Sequence, residues 1–505
     1  MLISFSDVIF ASIVLTILVF FLRRRKRTLP YPPGPKPYPI IGNALDLPES
    51  HLWLKAGEWS KTYGDLVFLK VFGQPMLFIN SYEVVFELLE KRSGIYSSRP
   101  PFTMSKDLRQ FDWILSFFPY GERMRKYRAI FHKFFQPIVI PEYHSVMENE
   151  VIKMLRGLKE DPEQYEKHVR RFPGAVIMKN VYGYEVQDEK DPYVAMGEAC
   201  ISQAFDVEDY LFLDFFPWMR HLPEWFPGAS FIGEAKELRK LSRAVQFDAH
   251  NMTKERMKRG DAPECMTTVL LEDHREKEGD VDAEEDLHIA SASALAYAAA
   301  VDTTASTIMT FILAALLDPE IQEKGQEELD RVLGKGTLPT FADRGSLPYV
   351  QAICFEAIRW EPIVPIGLVH ATSADDVYNG QFIPAGTMVF GNAWHILHDP
   401  VRFPEPDKFK PERWLGPETE NGPIPVQKVA FGFGRRICPG RHWADSAVFI
   451  AVASILASFN IERAKDANGV PIPPTHNYSA KTVRHLDPSK CVFTPRTSKV
   501  LDTVR

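Results

Sequence analysis

The chain has 505 residues, and 59 Lys and Arg against 66 Asp and Glu give it a formal net charge of -7. Its composition is that of a globular protein with room for a large core. The negative charge argues against a general nucleic-acid binder, because such a protein gains affinity by neutralising phosphates. The five cysteines are few, odd in number and scattered, with no CxxC pair, which favours a reduced, cytosol-facing body over a disulfide-bonded one.

The N-terminal segment is apolar over residues 1–22, with Asp7 as its single charge, and the basic run RRRKR follows at 23–27. A cleaved signal peptide carries its positive charge before the apolar stretch, so this order favours a retained membrane anchor with the body on the cytosolic side. A signal peptide or a buried core helix is the alternative. We predict a transmembrane helix over 1–22, a basic stop and proline-rich linker over 23–43, and one large domain over 44–505.

Helical periodicity dominates the body of the chain. The longest predicted helix covers residues 286–318, contains neither Gly nor Pro, and ends before Pro319. Because it is apolar nearly all round, we expect it to cross the interior. The stretches 65–80 and 377–392 combine β-forming residues with turn signals. The sequence therefore predicts a fold that is mainly α with small β-sheets.

Two polar residues, Asp302 and Thr303, interrupt the alanine-rich part of the long helix, AAAVDTTAS. A carboxylate in an apolar helix is unfavourable unless it is paired or faces a wet cavity, so these residues are candidates for chemistry. The alternative is a hydroxyl bonded back to its own helix and an acid at a solvated edge. Spacing alone does not separate the two interpretations.

A second motif, CFEAIRWEP, places Glu356 and Arg359 three residues apart on one helical face. Such pairs usually lie on the protein surface. Here the neighbouring residues are apolar, which favours a buried ion pair that needs a third partner. Arg413, in FKPERWL, is the candidate for that partner.

The loop FGFGRRICPG, residues 431–440, contains a single cysteine, Cys438, among glycines and arginines. One cysteine cannot form a zinc or iron–sulfur site. Haem needs only one protein ligand on its proximal face, and the glycines allow the backbone to approach a flat ring. Arg436 can then pair with a haem propionate, and the following helix favours an ionised sulfur at its N-terminus.

Together these motifs make the chain resemble the cytochrome P450 family over essentially its whole length. The family's haem signature, FxxGxRxCxG, is matched by Phe431, Gly434, Arg436, Cys438 and Gly440. The resemblance implies that Cys438 is the axial ligand of the haem iron. It also implies that Glu356, Arg359 and Arg413 form the family's structural ExxR triad.

The resemblance extends to the oxygen-activation motif, [AG]GxDT[TS], which falls on residues 299–304. It implies that Asp302 and Thr303 supply the protons of the reaction. Ala300 stands where the family commonly has Gly. Arg128 and His370 correspond to further propionate partners, and Met124 replaces the Trp that the family often has four residues before that arginine.

The resemblance implies a cytochrome P450 fold, with haem b held between the long helix and the cysteine loop. It is implied to be a haem-thiolate monooxygenase that inserts one atom of O2 into a lipophilic small molecule. The sequence is also similar to those of membrane-bound fungal members of the family. This similarity suggests that the substrate is a terpenoid or aromatic intermediate of secondary metabolism. Electrons are expected from NADPH through NADPH-cytochrome reductase, and the protein is expected in the endoplasmic reticulum membrane, with its single helix leaving the catalytic domain in the cytosol.

Family position also suggests which residues contact the partners. The substrate candidates are Phe102, Phe111, Ala296, Ala300, Ile363 and Ile366. The candidates for a basic reductase-binding face are Arg125, Lys126, Lys133, Arg435 and Arg441. The aromatic stretch 212–231 is predicted to dip into the membrane, with a packed loop as the alternative.

Two other functions compete with monooxygenation. One is a haem-thiolate isomerase or dehydratase of the same fold, which would not activate oxygen. The intact pair Asp302 and Thr303 argues against it. The other is a non-enzymatic haem-binding or lipid-binding membrane protein, in which the polar interruption of the long helix would have no purpose.

Overall fold

The structure is a computed structural model that describes residues 29–188, 190–206, 210–416 and 423–497. The predicted anchor and basic stop lie outside the described residues. The larger helices are α1 (Leu52–Tyr63), α2 (Tyr82–Val85), α3 (Ser93–Tyr96), α4 (Glu122–Phe135), α5 (His144–Glu160), α6 (Tyr165–Tyr182), α7 (Pro192–Phe205), α8 (Phe212–Phe215), α9 (Ser230–Arg259), α10 (Met266–Glu278), α11 (Ala283–Leu317), α12 (Pro319–Leu333), α13 (Pro348–Trp360), α14 (Ala393–Leu397) and α15 (Arg441–Ser458).

The strands are short and form three small sheets. They are β1 (Leu66–Val71), β2 (Gln74–Ile79), β3 (His370–Ala371), β4 (Asp376–Tyr378), β5 (Gln381–Ile383), β6 (Met388–Gly391), β7 (Phe459–Arg463) and β8 (Cys491–Pro495). The largest sheet has the order β1-β2-β6-β3, with β2 and β6 parallel and the outer pairs antiparallel. The prediction of a mainly helical fold with small sheets is confirmed.

Helix α11 is the centre of the fold. It begins where the Asp282 carboxylate accepts hydrogen bonds from the amides of Glu284 and Glu285 at 2.9 and 2.8 Å, and it ends before Pro319. Most of its side chains are buried against α6, α7, α9 and α15, as the all-round apolar pattern predicts. Among the described residues it is the one helix long and apolar enough to cross a membrane, and it lies inside the protein.

The proline-rich segment packs onto the body from Pro30 onward. Tyr31 stacks on Phe68 with ring centroids 4.6 Å apart, and the amide of Phe68 donates to the carbonyl of Pro33 at 2.8 Å. The amide of Phe382 in β5 donates to the carbonyl of Pro30 at 2.7 Å. The first described residues of the predicted linker therefore contact the body, because extended prolines leave their carbonyls free to accept from a neighbouring strand.

The start of α13 is held by a side chain from α12. The amides of Tyr349 and Val350, in the first turn of α13, donate to the two carboxylate oxygens of Glu328 at 3.0 Å each. First-turn amides have no partner within their own helix, and a negative charge there also complements the helix dipole. Glu328 is buried, so it fixes the start of the helix that carries Glu356 and Arg359.

We expect Glu328→Gln to lower the free energy of unfolding of the full-length protein by about 1–3 kcal/mol, because the amide group leaves a buried N–H without an acceptor. Denaturant unfolding of the detergent-solubilised protein measures the change. The matched control is Glu327→Gln, since Glu327 is exposed on the same helix. Equal effects of the two substitutions would contradict this role of Glu328.

Candidate active site

A cavity of about 300 Å³ lies between α11 and the cysteine loop. One face of α11 supplies Ala296, Ala299, Ala300, Thr303, Thr304 and Thr307, at the spacing of successive helical turns. The opposite wall comes from the loop that carries Cys438. Leu295 of α11 also lines the cavity, and other elements close it with Ile114, Leu115, Ile201, Phe205, Ile363, Val364, Leu368 and Val483. The cavity is therefore largely apolar, with hydroxyl groups along the helix.

The cysteine loop is shaped by Gly434 and by a contact with the helical turn Phe86–Lys91. The amide of Cys438 donates to the carbonyl of Phe431 at 2.8 Å. Gly434 has a φ of +57°, and a Cβ placed there would lie 2.0 Å from the carbonyl oxygen of Leu89. The amide of Gly434 donates to the Glu90 carboxylate at 2.7 Å. Gly434 is thus needed for a backbone contact within the protein, whereas the sequence suggested that it admits a haem ring.

The sulfur of Cys438 faces the cavity, and its surroundings act on its pKa in opposite directions. Burial raises the pKa of the thiol, while the Gly440 amide, Arg128 and Arg441 lower it by less. The sequence predicted that the start of α15 would favour the ionised form, but the net direction is upward. Burial thus opposes an ionised sulfur more than the neighbouring amide and arginines favour it.

Four basic side chains line the cavity beside the loop, namely Arg99, Arg128, His370 and Arg436. Their hydrogen bonds within the described residues go to backbone carbonyls: Arg436 donates to Ser97 and Phe118 at 2.7 and 2.6 Å, Arg128 to Ile437, Arg99 to Leu368, and His370 Nδ1 to Tyr96 at 2.7 Å. Burial lowers the pKa of each, that of Arg436 to about 10.

This cluster is a buried positive site that lacks a carboxylate partner in the described part of the chain. The Nε of Arg99 is buried without a hydrogen-bond partner. Buried cations are costly unless an anion compensates them. Haem b carries two propionates and an iron that accepts one soft ligand, so the cluster and Cys438 fit it together. Sequence reasoning missed Arg99, because nothing in SSRPPF marks that side chain as buried.

The ExxR motif forms a fully buried network. Arg359 donates to both oxygens of Glu356, at 2.9 and 2.8 Å. Arg413 Nε and Trp414 Nε1 donate to the same carboxylate at 3.0 and 2.9 Å, and so does the amide of Lys410 at 2.9 Å. The carboxylate is therefore saturated with donors, which is the condition for keeping such charges inside a protein.

The two polar residues of the alanine-rich motif, Asp302 and Thr303, lie on different faces of α11. Thr303 lines the cavity, and its hydroxyl donates to the carbonyl of Ala299 at 2.9 Å. Asp302 is buried behind it, where its carboxylate accepts from His485 Nε2 at 2.7 and 2.9 Å and from Arg170 Nη1 at 3.3 Å. The hydroxyl is thus bonded back to the helix, but the acid is paired and does not lie at a solvated edge.

The substrate candidates divide into two groups. Ala296, Ala300 and Ile363 line the cavity. Phe111 is fully buried in the main core, Ile366 packs in the cluster around Trp53, and Phe102 packs on Phe117 with ring centroids 4.7 Å apart. These three are not among the cavity residues, because apolar neighbours in the surrounding core hold their side chains. Ile114, Leu115, Ile201, Phe205, Leu368 and Val483 supply the wall instead.

A lone cysteine beside buried arginines, at the wall of a largely apolar cavity, fits a haem-binding site. The cytochrome P450 family model matches residues 32–486. The chain is 40% identical over 481 residues to cytochrome P450 monooxygenase COX2 of Coprinopsis cinerea, covering 94% of this chain and 91% of the relative. It is 37% identical to COX1 of the same fungus, covering 99% and 97%, and 38% identical to a cytochrome P450 monooxygenase of Armillaria gallica, covering 97% of each.

The chain belongs to the cytochrome P450 family. Its relatives are monooxygenases by name, and the family's cofactor is haem b, which the residues around the cavity fit.

We expect Gly434→Ala to abolish most of the red-shifted Soret band that carbon monoxide gives with a thiolate-ligated haem. A Cβ in left-handed backbone costs about 1–2 kcal/mol, and the overlap with the Leu89 oxygen adds to this cost because both atoms are backbone. The carbon monoxide difference spectrum, normalised to total protein, measures the loss. Gly94→Ala is the control, since a Cβ there meets open space. A normal band in Gly434→Ala would contradict the close contact.

Proposed function

We propose that this monooxygenase inserts one atom of O2 into a lipophilic small molecule, a terpenoid or aromatic intermediate of fungal secondary metabolism. The observation that carries the proposal is the apolar wall of the cavity above Cys438, formed by side chains such as Ile114, Leu295 and Ile363. A charged substrate would lose its hydration there, and the basic cluster is already matched by the haem propionates. The fungal relatives, which are named cytochrome P450 monooxygenases, support the reaction class.

In the proposed site, Cys438 would hold haem b through its sulfur, and the bound haem would supply the activation of O2. Arg99, Arg128, Arg436 and His370 would hold its propionates, beside the loop. Thr303 places a hydroxyl at the distal wall, and Asp302, directly behind it, supplies protons. The apolar side chains position the substrate and exclude bulk water from the cavity.

Electrons are proposed to come from NADPH through NADPH-cytochrome reductase. Arg125, Arg435 and Arg441 support a basic face beside the cysteine loop for an acidic partner. Two residues predicted for that face are partly neutralised, because Lys126 pairs with Glu285 and Lys133 with Asp273. We therefore assign the reductase contact mainly to the three arginines.

Membrane attachment in the endoplasmic reticulum, through a single helix and with the catalytic domain in the cytosol, is part of the same proposal. Its support in the described residues is the aromatic stretch 212–231, where Trp218 and Trp225 are 63% and 81% exposed. Tryptophan is favoured at membrane interfaces, where its ring is apolar and its N–H stays wet. A lipophilic substrate dissolved in the membrane would then meet the protein near α8.

Oxygen-18 gas tests the reaction class. A panel of terpenoids and aromatic compounds is screened by binding difference spectra, and the compound with the largest signal is incubated with microsomes, reductase and NADPH. We expect one labelled oxygen atom in each product molecule. Product without label would instead support an isomerase or dehydratase.

Cys438→Ser should give no labelled product and no red-shifted Soret band with carbon monoxide, because the soft ligand is lost. A retained band would contradict the ligand assignment.

We expect Asp302→Asn to lower the product formed per NADPH by about 10- to 100-fold, because the amide does not carry the exchangeable proton of a carboxyl group. Product and hydrogen peroxide, measured against NADPH consumed, give the ratio. Asp286→Asn is the matched control, since Asp286 also lies on α11 and pairs with a histidine and a lysine, His250 and Lys254, away from the cavity. Equal ratios for the two variants would refute the proton role of Asp302.

A further inference from the structure

The carboxylate of Asp302 is held from behind by residues of two other elements. Only 2% of its side chain is exposed. His485 Nε2 lies 2.7 and 2.9 Å from its two oxygens, and Arg170 Nη1 lies 3.3 Å from one of them. Because a carboxylate can only accept hydrogen bonds, Nε2 of His485 must carry the hydrogen in this contact.

The groups around this contact lead from the buried carboxylate towards solvent. The side chain of His485 is 23% exposed, and that of Arg170 is 18% exposed. Two further carboxylates face Arg170, Glu166 on α6 at 3.0 Å and Glu198 on α7 at 3.9 Å. Asp302 therefore lies at the inner end of a polar chain whose outer members reach water, while its neighbour Thr303 faces the cavity.

Only one of the two donors to Asp302 can exchange protons under ordinary conditions. Burial lowers the pKa of Arg170, but Glu198, Glu166 and Asp302 together raise it by more, so the guanidinium stays protonated. An imidazole can release a proton from one nitrogen and take up another from water. Arg170 thus contributes a fixed positive charge, and His485 is the exchangeable member.

The position of His485 is fixed by the loop that carries it. The amide of Ser479 donates to the carbonyl of His485 at 2.9 Å, and the Ser479 hydroxyl accepts from the His485 amide at 3.0 Å. The adjacent Arg484 donates to Glu361 at 2.7 Å and lies over the rings of Trp53, Trp394 and Tyr478 at 5.1, 5.0 and 4.6 Å. The loop is therefore anchored at the histidine backbone and at the residue before it.

We propose that His485 is a positioning residue that orients Asp302 and renews its proton from solvent. This inference rests on the proton role proposed for Asp302. Each transfer starts with the ring as a cation, after it has taken up a proton from solvent. The N–H bond at Nε2 then breaks, its electron pair stays on nitrogen, the ring becomes neutral and the proton binds an Asp302 oxygen. A second proton from solvent restores the cationic ring. The protons consumed in monooxygenation thus enter from solvent, and the protein returns to its starting state.

The test compares three variants of the full-length haem protein with its reductase. His485→Gln keeps an N–H donor within reach of Asp302 but removes the exchangeable proton, and His485→Phe removes both. His476→Gln is the matched control, because His476 lies on the same loop and pairs with another buried carboxylate, Glu361, at 2.7 Å. We expect His485→Gln to lower product per NADPH by about tenfold and to increase the D2O effect on turnover, with the substrate dissociation constant unchanged. His476→Gln should behave as wild type.

A second readout does not depend on turnover. Infrared difference spectra between the wild type and Asp302→Asn assign the carboxylate band of Asp302 in the resting protein. We expect His485→Phe to shift this band, His485→Gln to shift it less, and His476→Gln to leave it unchanged. A shift in His485→Phe shows contact even where that variant has lost stability, which the carbon monoxide spectrum reports separately.

The outcomes separate the inference from the function on which it rests. If Asp302→Asn loses product per NADPH but His485→Gln matches His476→Gln in that ratio and in the D2O effect, the role of His485 is overturned and that of Asp302 stands. If Asp302→Asn retains its full ratio, the proton role of Asp302 falls and the inference falls with it. An equal loss in His485→Gln and His476→Gln would show a structural effect of the loop and would overturn the inference.

Discussion

The site depends on buried positive charge that the described residues do not neutralise. Arg99, Arg128, Arg436 and His370 converge beside Cys438, and their hydrogen bonds in the described residues end on backbone carbonyls. In the proposed site, the cost of burying the three arginines would be recovered when the two propionates of haem b bind. The cofactor therefore contributes to holding helix α4, the β3 edge and the cysteine loop together, as well as to the chemistry.

Helix α11 serves two environments at once. Its cavity face carries small residues, Ala296, Ala299 and Ala300, followed by threonines, so the backbone comes close to the space above Cys438. Its opposite face carries Asp302, which is tied to α6 and to the C-terminal loop. Because one rigid helix holds both faces, the wall of the substrate cavity and the proton side of the reaction keep a fixed distance from each other.

The sequence predicted the elements whose signals are local. The long helix, the hairpin of β1 and β2, and the partners Glu356 and Arg359 all follow from spacing and composition within short stretches. Arg99 and His485 could not be predicted in this way, because their partners lie about 270 and 183 residues away along the chain. Phe111 illustrates the opposite error: family position suggested a substrate contact, but packing among core side chains keeps it out of the cavity.

The C-terminal loop couples the shape of the substrate cavity to the contact with Asp302, because one short backbone segment positions residues for both. Val483 lines the cavity, Arg484 lies over three aromatic rings, and His485 contacts Asp302. Three consecutive residues thus form part of the wall, an anchor of the loop and, in the mechanism proposed above, the entry point for protons. If a smaller side chain replaces Val483, a larger substrate can fit while the backbone of the loop stays in place. If the loop itself moves to make room, the imidazole of His485 moves away from Asp302. The range of substrates open to this enzyme is therefore extended more safely by trimming side chains here than by loosening the loop.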